Sequence, residues 1–168
     1  MNQSIVIMGV AGCGKSSLGQ VLAQALGCPL VEGDDFHSDA SRAKMSQGIA
    51  LTDADRDGWL AVLAQQLRAH PQGVVLTCSA LKRAYRERLR QAAPGLRFVF
   101  LQIAPEVAQK RVEARAQSHF FSTELVASQF ATLEVPSAEA GVLTLDASTA
   151  LTQLQTEVST WLHAEVLL

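Results

Sequence analysis

The chain has little of what several functional classes require. Only three cysteines occur in 168 residues, Cys13, Cys28 and Cys78. Their odd number and scattered spacing exclude a disulfide framework and a zinc site, leave them as small buried hydrophobes, and make a reducing cytoplasm the expected setting. The formal net charge is only -2, so no electrostatic case exists for a nucleic-acid partner. No apolar run approaches the roughly 18 residues that a membrane span needs. The opening MNQSIVIMG lacks a basic segment, and its apolar stretch is too short for a signal peptide. Low-complexity tracts, internal repeats and linkers are absent too. What remains is 48% hydrophobic and 18% charged, a balance that suits one globular domain spanning residues 1–168 with a real core.

The apolar pattern alternates between two periods. SIVIMG, CPLVE, GVVLTCSA, LRFVFLQI and GVLTLDA are short and apolar on both faces, as buried strands are. Between them lie helical patterns. KSSLGQVLAQALG carries Leu18, Leu22, Ala25 and Leu26 at helical spacing and stops at Gly27. DGWLAVLAQQLRAH sets Trp59, Leu60, Leu63 and Leu67 on one face ahead of the Pro71-Gln72-Gly73 stop. LKRAYRERLRQAAPG, PEVAQKRVEARA (with Pro105 in its first turn) and LTQLQTEVSTWLHAEVLL complete the series. The stretch from Ser38 to about Asp57 is polar and reads as short helices and loops, and QSHFFSTELVASQFATLEVP as a loop followed by a helix. Strands alternating with helices imply a three-layer α/β/α fold around a five-stranded parallel sheet, with a small lid at about residues 115–135.

Directly after the first strand stands GVAGCGKSS, Gly9 to Ser17. Gly9-x-x-x-x-Gly14-Lys15-Ser16 fits the GxxxxGK[ST] phosphate loop in its confirming context, strand before and helix after. Successive amides of Gly9, Val10, Ala11, Gly12, Cys13, Gly14, Lys15, Ser16 and Ser17 would line a concave loop, and the following helix adds its positive end. Side chains at Gly9 or Gly14 are expected to block the phosphate's approach. Lys15 is expected to follow charge onto the transferring phosphoryl, and Ser16 to ligate Mg²⁺. No strand-borne aspartate accompanies the loop, because the third strand ends in Thr77-Cys78-Ser79, so Mg²⁺ is expected to rest on Ser16, phosphate oxygens and water, with Asp34 the carboxylate that could join them. A nucleotide-hydrolysing switch is the reading from another class. Asp55-Arg56-Asp57-Gly58 matches its DxxG and Ser79-Ala80-Leu81 resembles its SAK, but the DxxG precedes a helix and no NKxD is present.

Glu32-Gly33-Asp34-Asp35-Phe36-His37 follows the second strand, at the carboxyl end of the sheet where open parallel sheets bind ligands. Asp34, beside Gly33, is the candidate base for an attacking hydroxyl; the bland alternative for Asp34 or Asp35 is a helix cap. His37 either bonds a substrate hydroxyl or is a solvated loop residue. Arg42, Lys44 and Arg56 are either site cations or surface charges. Lys82, Arg86 and Arg90 recur every four residues, a cationic stripe able to face an anionic acceptor, with Arg90 the furthest from the site. Arg111 and Arg115 lie one turn apart before His119, Phe120 and Phe121; they would be lid arginines gripping the phosphoryl group, or solvated charges of an ordinary helix.

Taken in order, GVAGCGKS, EGDDFH, KMSQGIALTDADRDGWL, CSALKRAYRERLR, HFF and SQFATLEVP resemble the gluconate kinases, small P-loop kinases akin to the nucleoside-monophosphate kinases. CSALK..YR..LR and HFF......SQF..LE.P are the specific pieces, and the similarity covers nearly the whole chain. The resemblance implies ATP-dependent phosphorylation of the 6-hydroxyl of D-gluconate, with Mg²⁺, in the cytoplasm, often by a homodimer. It implies that Gly9 to Ser16 bind ATP, that Asp34 is the base, and that His37, Lys44, Arg56, Lys82, Arg86, His119 and Gln129 line the acceptor side. Two departures are visible: Asp35 extends the acidic turn, and AQSHFF is one residue longer than the family's lid spacing. The runner-up within the same fold is a shikimate kinase, which expects Gly-Gly-Gly where this chain has Cys78-Ser79-Ala80.

Overall fold

The computed structural model describes residues 3–115 and 123–166. Five parallel strands form one sheet in the order β2-β3-β1-β4-β5: β1 Ile5–Met8, β2 Leu30–Glu32, β3 Val75–Thr77, β4 Arg97–Gln102 and β5 Val142–Asp146. The helices are α1 Lys15–Leu26, α2 Asp39–Ser46, α3 Asp53–Ala69, α4 Arg83–Ala92, α5 Pro105–Arg115, α6 Leu125–Thr132 and α7 Leu151–Val166.

Alternate side chains of β1 point to opposite faces, and both faces are covered. Ile5 and Ile7 pack with Leu18 and Leu22 of α1 and Leu154, Val158 and Leu162 of α7. Val6 and Met8 pack with Trp59, Leu60, Leu63 and Leu67 of α3 and Leu89 of α4. The expected three layers are therefore present. With β1 central, its carboxyl end lies between those of β3 and β4. The loops after β1, β2 and β3 open at one end of the sheet, and this is what assembles the site.

Between Ser38 and Asp57 the expected short helix and loop are present, and the one difference is where α3 begins. Gly33–Phe36 forms a 3₁₀ turn, Ser38 caps α2 through Ser41 N (3.1 Å), and α3 starts at Asp53, before the apolar periodicity begins. The cause is a capping box: Thr52 Oγ1 accepts from Asp55 N (3.1 Å), and Asp55 Oδ2 accepts from Thr52 N (2.9 Å). Asp55 to Gly58 is consequently helical, which removes the DxxG resemblance from any switch loop.

Arg86 corrects an expectation. Its side chain is fully buried and bound within the protein, so it is not on the acceptor side. Nε donates to Glu139 (3.0 Å), Nη1 to the Ala80 carbonyl (2.8 Å) and Nη2 to the Glu134 carbonyl (2.9 Å). Glu139 also takes Arg90 Nη2 (2.9 Å), and its carboxyl is held below the usual carboxylate range, chiefly by Arg86. Ala80, held by the same guanidinium, has φ 46°, a left-handed conformation rare for a residue with a Cβ. This network ties the segment after α6 to the start of α4.

Two outcomes follow. Arg86→Met should destabilise the protein by about 3–5 kcal/mol in urea titrations, because the Glu139 charge is left buried without its main partner; a loss below about 1 kcal/mol would contradict a buried pair. Asp55, lowered to about 2 first by Thr52 N–H and then by Lys44, stabilises the fold fully above its ordinary pKa of about 4 and loses that contribution as pH falls toward 2. Asp55→Asn should therefore lower the unfolding midpoint at pH 7, and the gap from the wild type should narrow on acidification below about pH 4; a gap that widens would overturn the assignment.

Candidate functional site

The loop after β1 is built for backbone recognition. Gly9, Gly12 and Gly14 have φ of 145°, 84° and 98°. A Cβ on Gly12 would sit 2.8 Å from the Ala108 carbonyl, so α5 packs directly on the loop. The reason expected for Gly9 and Gly14 is revised. A Cβ on Gly9 would strike Cys13 Sγ (2.7 Å), a protein atom, while at Gly14 there is room and only the backbone conformation demands glycine. Val10 and Cys13 bury their side chains beneath the loop and so offer a ligand only backbone. The first turn of α1 has neither an acidic residue nor a capping side chain, which suits its amides to an anion. Lys15 Nζ curls over the loop onto the carbonyls of Gly9 (3.0 Å) and Val10 (3.1 Å). Arg111 ties the loop to the turn after β5 through the carbonyls of Gly12 (3.3 Å) and Ala147 (3.2 Å).

The carboxylate that the sequence offered to stand with Ser16 is Asp34; the structure places Glu32 against Ser16 instead. Ser16 Oγ donates to Glu32 Oε2 at 3.0 Å, and Thr77 Oγ1 donates to the same oxygen at 2.5 Å. Glu32 ends β2, and its proximity to Ser16 depends on the β2-β3-β1 order, so no local motif reveals it. Oxygen donors of this kind fit a hard cation such as Mg²⁺. Among the described residues no cluster of three His, Cys, Asp or Glu side chains could hold a metal alone, so any metal here would depend on ligand oxygens as well.

One cavity joins this loop to the acidic turn. Its lining includes Ala11, Gly12, Gly14, Lys15, Ser16, Asp34, His37, Arg56, Ser79, Arg115 and Gln129, with Met45, Leu51, Trp59, Leu125 and Ser128 among its other walls. Asp34 and Asp35 lie in the 3₁₀ turn rather than capping α2, which Ser38 does. Asp34 is about half exposed, and its Oδ1 is 3.5 Å from His37 Nε2. Arg56 is buried; Nη1 contacts Tyr85 Oη at 3.4 Å and the guanidinium lies 5.7 Å from that ring's centroid. Gln129, from α6, accepts from Ala11 N at 2.7 Å, so the segment expected to be a lid already touches the phosphate loop. Trp59, read from the sequence as a core residue, also lines the cavity and donates Nε1–H to the Gly33 carbonyl at 2.8 Å. Nothing in its spacing distinguishes that second role.

Two further expected cations are not part of this lining. Lys44 pairs with Asp55 (2.9 Å), and Lys82 with Asp53 (2.9 Å). Tyr85 Oη also bonds Asp53, whose carboxyl is lowered by Tyr85 and then Lys82. The expected cationic stripe thus meets carboxylates of its own chain, remote in sequence: Asp53 for Lys82, and Glu139 for Arg86 and Arg90. His119 lies outside the described residues. Cys78, which follows β3, is no nucleophile, since burial pushes its thiol up to about 12.

Known proteins can be set beside this geometry. A family model described as an AAA domain matches residues 5–136. A gluconokinase of Gluconobacter oxydans is 44% identical over 142 residues, covering 83% of this chain and 79% of that protein. One from Arabidopsis thaliana is 41% identical over 150 residues, covering 80% and 79%. The crystal structure of a gluconokinase from Sinorhizobium meliloti superposes with a TM-score of 0.87 at 43% identity, covering 96% of this chain and 92% of that one. A shikimate kinase from Acinetobacter baumannii, at 16% identity and a TM-score of 0.67, shares the fold alone. No helix among the described residues is long and apolar enough to cross a membrane. The phosphate loop at the head of a five-stranded parallel sheet and this sustained similarity lead to one conclusion: the chain belongs to the gluconokinase family of P-loop kinases.

Proposed function

We propose that this chain transfers the γ-phosphoryl group of ATP to the 6-hydroxyl of D-gluconate, giving 6-phospho-D-gluconate and ADP. The observation that carries the reading is the single cavity in which Lys15 and Ser16 of the phosphate loop, the Asp34 carboxylate and the buried Arg56 guanidinium share one lining. A triphosphate has a fitting cradle in the uncapped first turn of α1 and the glycine-shaped loop before it.

In this reading Asp34 accepts the proton of the attacking hydroxyl as the new P–O bond forms and the bond to ADP breaks. Lys15 leaves the Gly9 and Val10 carbonyls to follow the migrating negative charge, and Arg115 adds positive charge from the end of α5. Arg56 pairs with the acceptor's carboxylate, which accounts for a buried guanidinium with a long contact to a neutral hydroxyl. Gln129 belongs to the acceptor side. Arg111 holds the phosphate loop from the nucleotide side. Ser16, with Glu32 behind it, would hold Mg²⁺, which when bound neutralises charge on the phosphate oxygens. Residues at about 115–135 act as the lid that excludes water. A cytoplasmic location and a homodimer belong to the same reading.

A coupled ADP-release assay with gluconate, shikimate, AMP or no acceptor tests it. Turnover should require gluconate; selective use of shikimate or AMP would reject the assignment, and equal ADP release without acceptor would point to a hydrolase. Lys15→Ala should lower kcat by about 10²–10³-fold, because its contact strengthens as charge moves. Asp34→Asn should keep ATP affinity while lowering kcat by about 10²–10⁴-fold; a near-normal rate would make Asp34 a structural residue of its turn.

A further inference from the structure

Thr77 is an ordinary strand residue by sequence, a β-branched side chain at the end of β3. In the structure its hydroxyl is committed twice. Oγ1 accepts from Gly33 N at 3.3 Å and donates to Glu32 Oε2 at 2.5 Å. The direction of each bond is forced: an amide N–H can only donate, so the one hydroxyl proton goes to the carboxylate. Thr77 is buried and is the register partner of Glu32 across β2 and β3. Its methyl is pressed by α1, since a Cβ on Gly19 would lie 3.1 Å from Thr77 Cγ2. With the methyl held on that side, the staggered rotamer fixes where the hydroxyl points.

Glu32 passes this order on to Ser16. Its Oε2 receives the Thr77 proton and, at 3.0 Å, the Ser16 proton on one oxygen. Ser16 has a single hydroxyl proton, and the carboxylate holds it. The serine oxygen keeps its lone pairs for a ligand. Ser16 lines the cavity, whereas Glu32 and Thr77 are not part of its described lining. A hard cation needs such lone pairs and is repelled by a hydroxyl proton turned toward it. A serine hydroxyl without a fixed partner rotates among its local hydrogen bonds.

We propose that Thr77 is a positioning residue of the nucleotide site: through Glu32 it holds the Ser16 hydroxyl with its proton turned away from the phosphates and its lone pairs toward a divalent cation. Thr77 itself touches neither nucleotide nor cation. The inference rests on the Mg²⁺–ATP part of the proposed function and is independent of which compound accepts the phosphoryl group. Partners behind a metal ligand set its orientation, and losing one costs about 10–100-fold in metal affinity. The same hydroxyl also holds Gly33 N, so one β3 side chain fixes both the Glu32 carboxylate and the start of the turn that carries Asp34.

The experiment measures calorimetric binding of the β,γ-imido analogue of ATP, in Mg²⁺ and in EDTA, to wild type, Thr77→Val, Thr77→Ser and Glu32→Ala. Val keeps the shape of Thr and removes the hydroxyl; the unfolding midpoint reports whether each variant is folded. Wild type should bind more tightly in Mg²⁺. Thr77→Val should lose about tenfold or more of its affinity in Mg²⁺ and none in EDTA, and Thr77→Ser should keep most of it. Adding Thr77→Val to Glu32→Ala should cost nothing further, because the two groups act in series. The proposal is overturned if Thr77→Val loses equally in Mg²⁺ and EDTA, as a purely structural role would make it, or if it keeps the wild-type gain from Mg²⁺. Should Thr77→Val fail to fold, Glu32→Ala decides, and a full gain from Mg²⁺ in that variant overturns the proposal. Wild type that binds the analogue equally well with and without Mg²⁺ would instead defeat the Mg²⁺ reading, and this inference with it, while the choice of phosphoryl acceptor is read separately in the ADP-release assay.

Discussion

Everything in this site depends on a loop that must present its amides without help from its own side chains. An array of N–H groups aimed at one point is an anion site only if the backbone cannot relax to satisfy itself. Here the restraint comes from the packing around the loop. Val10 and Cys13 are sunk into two different apolar clusters, and the backbone of α5 lies against Gly12. Arg111 clamps the Gly12 carbonyl, while Gln129 accepts from Ala11 N. Packing thus replaces the missing side-chain cap of α1, and the first turn keeps its amides for a ligand.

A second restraint operates at the end of β2. Glu32 and Asp34 flank Gly33, and a side chain on Gly33 would collide with the Thr77 carbonyl. The two carboxylates are thereby sent to separate tasks. Glu32 turns to Ser16 and Thr77, on the phosphate side. Asp34 emerges in the 3₁₀ turn toward the cavity, beside His37. Close approach of β3 to this glycine leaves two carboxylates that are neighbours in sequence with different surroundings, Glu32 on two hydroxyls and Asp34 on the cavity.

The chain uses many of its cations on itself. Lys44, Lys82, Arg86 and Arg90 all meet carboxylates of neighbouring elements, and Arg86 spends its donors on Glu139 and three carbonyls. The Arg86 network holds Ala80 in a left-handed conformation one residue beyond Ser79, whose carbonyl receives Gly9 N at 3.3 Å. Arg56 differs: it is buried at the cavity wall and, among the described residues, contacts a neutral phenol at 3.4 Å rather than pairing with a carboxylate.

The sequence by itself determined the alternation of strands and helices, the parallel sheet and the phosphate loop, because each is written within a dozen residues by spacing, apolar period and glycine. It also marked Asp34 and His37 by their place after a strand. It could not determine that α3 begins at Asp53 from its apolar period, although the Thr52–Asp55 pair was present to be read. Tertiary structure alone decided which cations face the cavity. Asp53, Glu139 and Glu32 lie 29, 53 and 16 residues from the Lys82, Arg86 and Ser16 groups they bind. A guanidinium pairs with whichever carboxylate the packed sheet and helices bring within reach, and one-dimensional spacing carries no record of that distance.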